Sequence, residues 1–141
     1  MARDVNNLGS VLQAQGDLVG AKRCFERALK IDEKALGPDH TSVATDVNNL
    51  GIVMRDMEDL VGAKRCFERA LKIDEKALGT EHTSVAIDVN NLGLVLRDLG
   101  DLVGAKGCFE RALNIFEKRL GRDHPNAVIV RNNLESLQKK K

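Results

Sequence analysis

Residues 17–37 read DLVGAKRCFERALKIDEKALG, and residues 59–79 repeat them letter for letter. A third copy at 101–121 reads DLVGAKGCFERALNIFEKRLG. A second motif outside this stretch keeps the same step. Asp4-Val-Asn-Asn-Leu-Gly9 recurs from Asp46 to Gly51 and from Asp88 to Gly93, 42 residues apart each time, and a degraded copy runs from Val130 to Leu134. A fixed period of this size marks a solenoid. Even the scarce residues follow it, with cysteines at 24, 66 and 108 and histidines at 40, 82 and 124.

Each copy predicts two helices. In the first, helix A, from about Thr41 to Met57, the residues Val43, Val47, Leu50 and Met54 fall on one face. Gly16-Asp17 and Gly100-Asp101 then mark a break, the Gly suited to a left-handed C′ position and the Asp to the next N-cap. Copy two carries Glu58 in place of that Gly, at a strain of about 1 kcal/mol for the same geometry. Helix B, from about Leu60 to Leu78, carries Ala63, Phe67, Ala70, Leu71 and Leu78 on one stripe, widened by Cys66, Ile73 and Ala77. A stripe this wide suits a helix with two neighbours. Lys64, Glu68 and Lys72 occupy the other face. The expected class is all-α, an αα-solenoid of helix pairs. The array divides at about 1–40, 41–82 and 83–124, with a final helix over 125–138 whose Arg131, Glu135 and trailing lysines suggest a wetter outer face.

Composition excludes several roles. The 22 basic and 21 acidic side chains nearly cancel, so the basic excess of a non-specific nucleic-acid binder is missing. Membrane-surface binding loses its electrostatic term for the same reason, and no apolar run approaches the ~20 residues that span a bilayer. MARDVNNLG lacks a signal-peptide core, and three dispersed cysteines do not form a disulfide framework, so a cytoplasmic protein is expected. Equivalent cysteines in stacked repeats lie roughly 10 Å apart, beyond disulfide reach, and read as buried, inert thiols. The histidines stand alone in loops, which argues against zinc; Asp39-His40 and Asp123-His124-Pro125 read as capped helix starts. No phosphate loop, HExxH or nucleophile elbow occurs. The expectation is a binding protein that is not an enzyme and has no cofactor and no metal.

The pattern N-L-G, G-D-L, A and C-F-E-R-A-L resembles the tetratricopeptide family, with Leu50-Gly51, Ala63, Phe67 and Ala70 at its packing positions. That family's usual period is 34. The longer form, with NNL in helix A and EK-LG-DHP in the loop, resembles kinesin-light-chain repeats and the repeat arms of some signalling ATPases. The resemblance implies a right-handed superhelix with helix A lining a concave groove that binds peptides. It departs at Val47 and Met54, where aromatics are common. The Lys-plus-Asn clamp of chaperone-binding members is not evident, so chaperone tails are not the expected ligand.

On that frame Asn6, Asn48, Asn90 and Asn132 form a ladder along the groove, with Asn7, Asn49, Asn91 and Asn133 beside them. Amides can pair with an extended peptide backbone. They can equally bond neighbouring helices and fix the stacking. Gln13, Arg55 and Arg97 continue the wall, with Ile52 and Leu94 as apolar spots, suited to an amphipathic or mildly acidic peptide or else a solvated face. The partner is expected to be a protein or peptide, with no nucleic acid and no membrane. Two alternatives are a self-associating structural module and the regulatory arm of a larger signalling ATPase. Near-identical copies specify register weakly, and Val5, Leu8 and Leu12 have incomplete cover, so end-to-end stacking or domain swapping into a homo-oligomer is reachable. The abrupt start and uniform copies also suggest a fragment of a longer array.

Overall fold

The computed structural model describes residues 2–139, and of Gln138 and Lys139 the backbone alone. Met1, Lys140 and Lys141 lie outside the described residues, so the reading of the trailing lysines is not addressed. Seven helices follow one another: α1 (Ala2–Ala14), α2 (Leu18–Leu36), α3 (Thr41–Asp56), α4 (Leu60–Leu78), α5 (Thr83–Asp98), α6 (Leu102–Leu120) and α7 (Pro125–Lys139). There is no strand among the described residues, so the fold is all-α, built of the expected helix pairs. The chain forms two compact units, Met1–Ile73 and Asp74–Lys141, dividing within α4.

The turns explain the boundaries. At each A-to-B turn one residue takes positive φ: Gly16 (85°), Glu58 (67°) and Gly100 (89°). The following Asp closes the turn with its N–H, Asp59 to the Met54 carbonyl at 2.8 Å, and caps helix B with its carboxylate, Asp17 accepting from the Gly20 N–H at 3.0 Å. Glu58 therefore holds the strained geometry that Gly holds in the other copies. The helix A starts are capped by histidine: Nδ1 of His40, His82 and His124 accepts the N–H two residues on, at 3.0, 3.0 and 3.1 Å. Pro125 occupies the first helical position of α7.

In unit 1, Ala21, Phe25, Leu50 and Val53 pack as one cluster, and Val43, Ala44, Val47, Ala70 and Ile73 as another. Phe67 sits against α3 where Gly51 leaves room, because a Cβ there would lie 2.7 Å from the ring. In unit 2, Phe109 meets Gly93 in the same way, and Ile115, Phe116, Val85, Val89, Val95 and Val130 are buried. Burying a phenylalanine this completely is worth about 3–5 kcal/mol against Ala. The stripe on α4 ends sooner than the sequence suggests, since Ala77 and Leu78 are exposed. That last turn runs past the buried ladder ending at Ile73-Asp74. Arg69 bridges to Glu33 at 2.6 Å in unit 1, and Arg111 to Glu75 at 2.7 Å in unit 2. Arg131 of α7 bridges to Glu117 at 2.8 Å, a contact that leaves it half-buried.

Candidate peptide-binding faces

In unit 1, α1 and α3 lie with a cavity of about 400 Å³ beside them, lined by Asn6, Asn7, Ser10, Thr45 and Asn49 and floored by Asp32 and Asp46. Asn6 Nδ2 donates to Asp46 Oδ1 at 2.7 Å, while Asn6 Oδ1 and Asp46 Oδ2 are buried without a donor. Farther along α1, Gln13 Nε2 donates to Asp56 Oδ2 at 3.0 Å. Ile52 is half-buried on α3. Asn48 and Arg55 are also half-buried, each engaged by a neighbouring group.

In unit 2 the corresponding face belongs to α5 and α7. Asn133 Nδ2 donates to Asn90 Oδ1 at 3.1 Å, and Arg97 Nη1 donates to Ser136 Oγ at 3.3 Å. Ser136 Oγ in turn donates to the Asn133 carbonyl at 2.7 Å. Asn91 is half-buried and engaged, Leu94 is half-buried, and Asn132 is exposed. Two large apolar side chains stay uncovered here, Ile87 at 41% and Ile129 at 52% exposure. Thr45 holds the equivalent position in unit 1, so the unit 1 face is polar and the unit 2 face apolar.

The amides thus divide in their roles. Asn6 and Asn90 spend one group each on the adjacent helix, and Asn49 lines the cavity. Sequence reasoning missed the acids beneath them. Asp46 (1% exposed) lies beside the Asp32 carboxyl, and Asp88 (3% exposed) beside the Asp74 carboxyl. Burial, then the Asp32 contact, pushes the Asp46 carboxyl up to about 7, against a lowering by the Asn6 donor. Burial, then Asp74, pushes Asp88 up to about 9. A hint was readable, because both positions turn apolar together where the third helix B meets the next helix A, at Phe116 and Val130.

The cysteines are free thiols, half-buried, and burial raises Cys66 and Cys108 above the ordinary thiol value. Among the described residues no group of three or more His, Cys, Asp or Glu could hold a metal, and no helix is long and apolar enough to cross a membrane.

Tetratricopeptide repeats match residues 3–76, 43–102 and 83–140. The chain belongs to the tetratricopeptide repeat family. No curated protein sequence matches it. Among solved structures it is similar to BtubC (BKLC) from P. vanneervenii, at TM-score 0.89 and 26% identity over 98% of this chain and 55% of that one. A kinesin-light-chain candidate from Podosopora anserina with nearly identical TPR-like repeats has TM-score 0.89 and 22% identity, over 97% of this chain and 65% of that one. The chain spans between half and two thirds of each of these two proteins. The first TPR of Spaghetti (RPAP3), bound to the HSP90 peptide SRMEEVD, shares the tetratricopeptide fold at TM-score 0.72 and 16% identity, over 99% of this chain and 91% of that one.

Proposed function

We propose that this protein is a non-catalytic interaction module that takes an extended segment of a protein partner on its helix A faces. The observation that carries the reading is the pair Ile87 and Ile129, large apolar side chains left uncovered beside Asn90, Asn91, Leu94, Arg97 and Asn132. Apolar spots flanked by amides and cations suit an amphipathic peptide whose backbone bonds the amides and whose apolar side chain covers the isoleucines. In unit 1 the same role falls to Asn6, Gln13, Asn48, Asn49, Ile52 and Arg55. A tetratricopeptide relative with a bound peptide supports this mode of use. The helix A positions here lack a lysine, so a chaperone tail is not the preferred ligand. Half-buried free thiols fit a reducing compartment such as the cytoplasm.

The test is capture of partners from native lysate by the wild type and by an Asn48→Ala/Asn90→Ala variant of unchanged helicity. Loss of a specific partner supports the reading. Equal recovery by both proteins refutes the assignment of the amides.

A second reading, self-association, is favoured by α1, where Leu8 and Val11 are more than half exposed. Light scattering that finds only monomer at every accessible concentration overturns it.

A further inference from the structure

Two carboxyl pairs lie beneath the binding faces, with Asp46, Asp74 and Asp88 buried and Asp32 half-buried. Asp32 on α2 meets Asp46 on α3 within unit 1, and Asp74 at the end of α4 meets Asp88 on α5 within unit 2. Each pair joins a helix B to the helix A that follows it. A hydrogen bond between two carboxyls requires a proton, because two ionised groups have acceptors only. Asp46 Oδ1 takes the Asn6 amide, but Asp46 Oδ2 and Asp88 Oδ2 are buried with no N–H or O–H from the protein.

The surroundings sharpen the need. Facing Asp46 are Asp32 and Glu33 from α2 and the neutral Asn6 from α1, with Arg3 of α1 on the lining of the same cavity. Facing Asp88 are Asp74 and Glu75 from α4. Arg69 is committed to Glu33 and Arg111 to Glu75, and Arg3 is the cation that lines the Asp32–Asp46 cavity. Loss of the shared proton therefore leaves adjacent anions, of which Asp46, Asp74 and Asp88 are buried while Asp32 is half-buried on the cavity. The junction of α6 and α7 supplies an internal control. There the same two positions carry Phe116 and Val130, both buried, and no ionisable group.

We propose that the Asp32–Asp46 and Asp74–Asp88 pairs are proton-operated clasps, closed while one proton is shared between the carboxyls and loosened when it leaves, with the Phe116–Val130 junction indifferent to pH. The folded state then holds a proton that the unfolded chain releases near the ordinary carboxylate value. Stability contributed by the clasps is full in acid and falls as pH rises toward neutrality and beyond. The raised Asp46 and Asp88 carboxyls agree with this sense. Asn6 belongs to both the clasp and the binding face, so the clasp state reaches the side chains that line the cavity.

The experiment is thermal unfolding of the full chain from pH 5 to pH 9, for the wild type and for Asp46→Asn/Asp88→Asn. An amide at these positions can donate to Asp32 and Asp74 without a titrating proton. The expected result is a wild-type Tm that falls by roughly 5 °C or more across this range. The variant should lose most of that slope and melt above the wild type at pH 9. Parallel profiles for the two proteins overturn the proposal. So does a calcium-dependent rise in Tm at pH 9 that the variant lacks, since a metal ion would then be the bridging species. Hydrogen exchange on the wild type gives a readout that does not depend on the variant folding. Rising pH should deprotect α3 and α5 beyond the intrinsic rate increase and leave α7 unchanged. Uniform behaviour of the three helices counts against the clasps.

Discussion

Asn6 Nδ2 lies 2.7 Å from Asp46 Oδ1, and this one hydrogen bond ties the first helix A to the second across a sequence separation of 40 residues. Asn6→Ala removes the amide donor of Asp46 Oδ1 and leaves a buried acceptor open. The expected loss is about 1–3 kcal/mol in urea unfolding at neutral pH. Because the Asn6 donor lowers the Asp46 carboxyl, its removal shifts that carboxyl further up. The variant should therefore be penalised less at pH 5 than at pH 8.

Gly51→Ala places a Cβ 2.7 Å from the Phe67 ring. Overpacking a core by one methyl costs about 1–3 kcal/mol. Gly107, by contrast, lies mid-helix in α6 with open space around it. Gly107→Ala should stabilise by about 0.5–1 kcal/mol. A denaturation series on the two variants checks both the size and the opposite signs.

Glu58 is the one non-glycine residue at positive φ among the described residues. Glu58→Gly relieves that strain and should raise stability by about 1 kcal/mol. A lower Tm for this variant would show that the Glu58 side chain contributes more than its backbone loses.

Ile129→Ser changes an exposed position on α7 and should leave Tm within a degree or two of the wild type. Binding to a captured partner, read by titration calorimetry, should weaken at least about tenfold if the side chain enters the contact. Unchanged affinity removes Ile129 from the binding face.

The helix order was legible because the period carries it. Thr41, Leu60 and the capping residues Asp17 and His40 recur at fixed offsets, so each boundary is stated more than once. The amide ladder was visible as a recurrence, but its division of labour was not. Asn6 faces an acid in a neighbouring helix A, and only packing reveals that meeting. The acids were hidden by the same period that exposed the helices. Asp32 and Asp46 are separated by 14 residues and by a turn, and each alone reads as an ordinary polar residue on a helix. The exposed Leu78 shows the opposite error, where a stripe read from spacing outlasts the surface it packs on.

The replacement of one carboxyl pair by Phe116 and Val130 gives the repeats a lock-and-key vocabulary of two words. An Asp-bearing helix B placed against the Val130 surface would bury a lone carboxyl, and Phe116 placed against Asp46 or Asp88 would do the same. Either mispairing costs several kcal/mol or forces the acid to stay protonated. Helices α2 and α4 are spelled identically and remain interchangeable, but α7 can accept only α6. The chain therefore encodes which helix B each helix A accepts in an otherwise ambiguous stack, and transplanting the two words together should let an array of copied repeats be ordered at will.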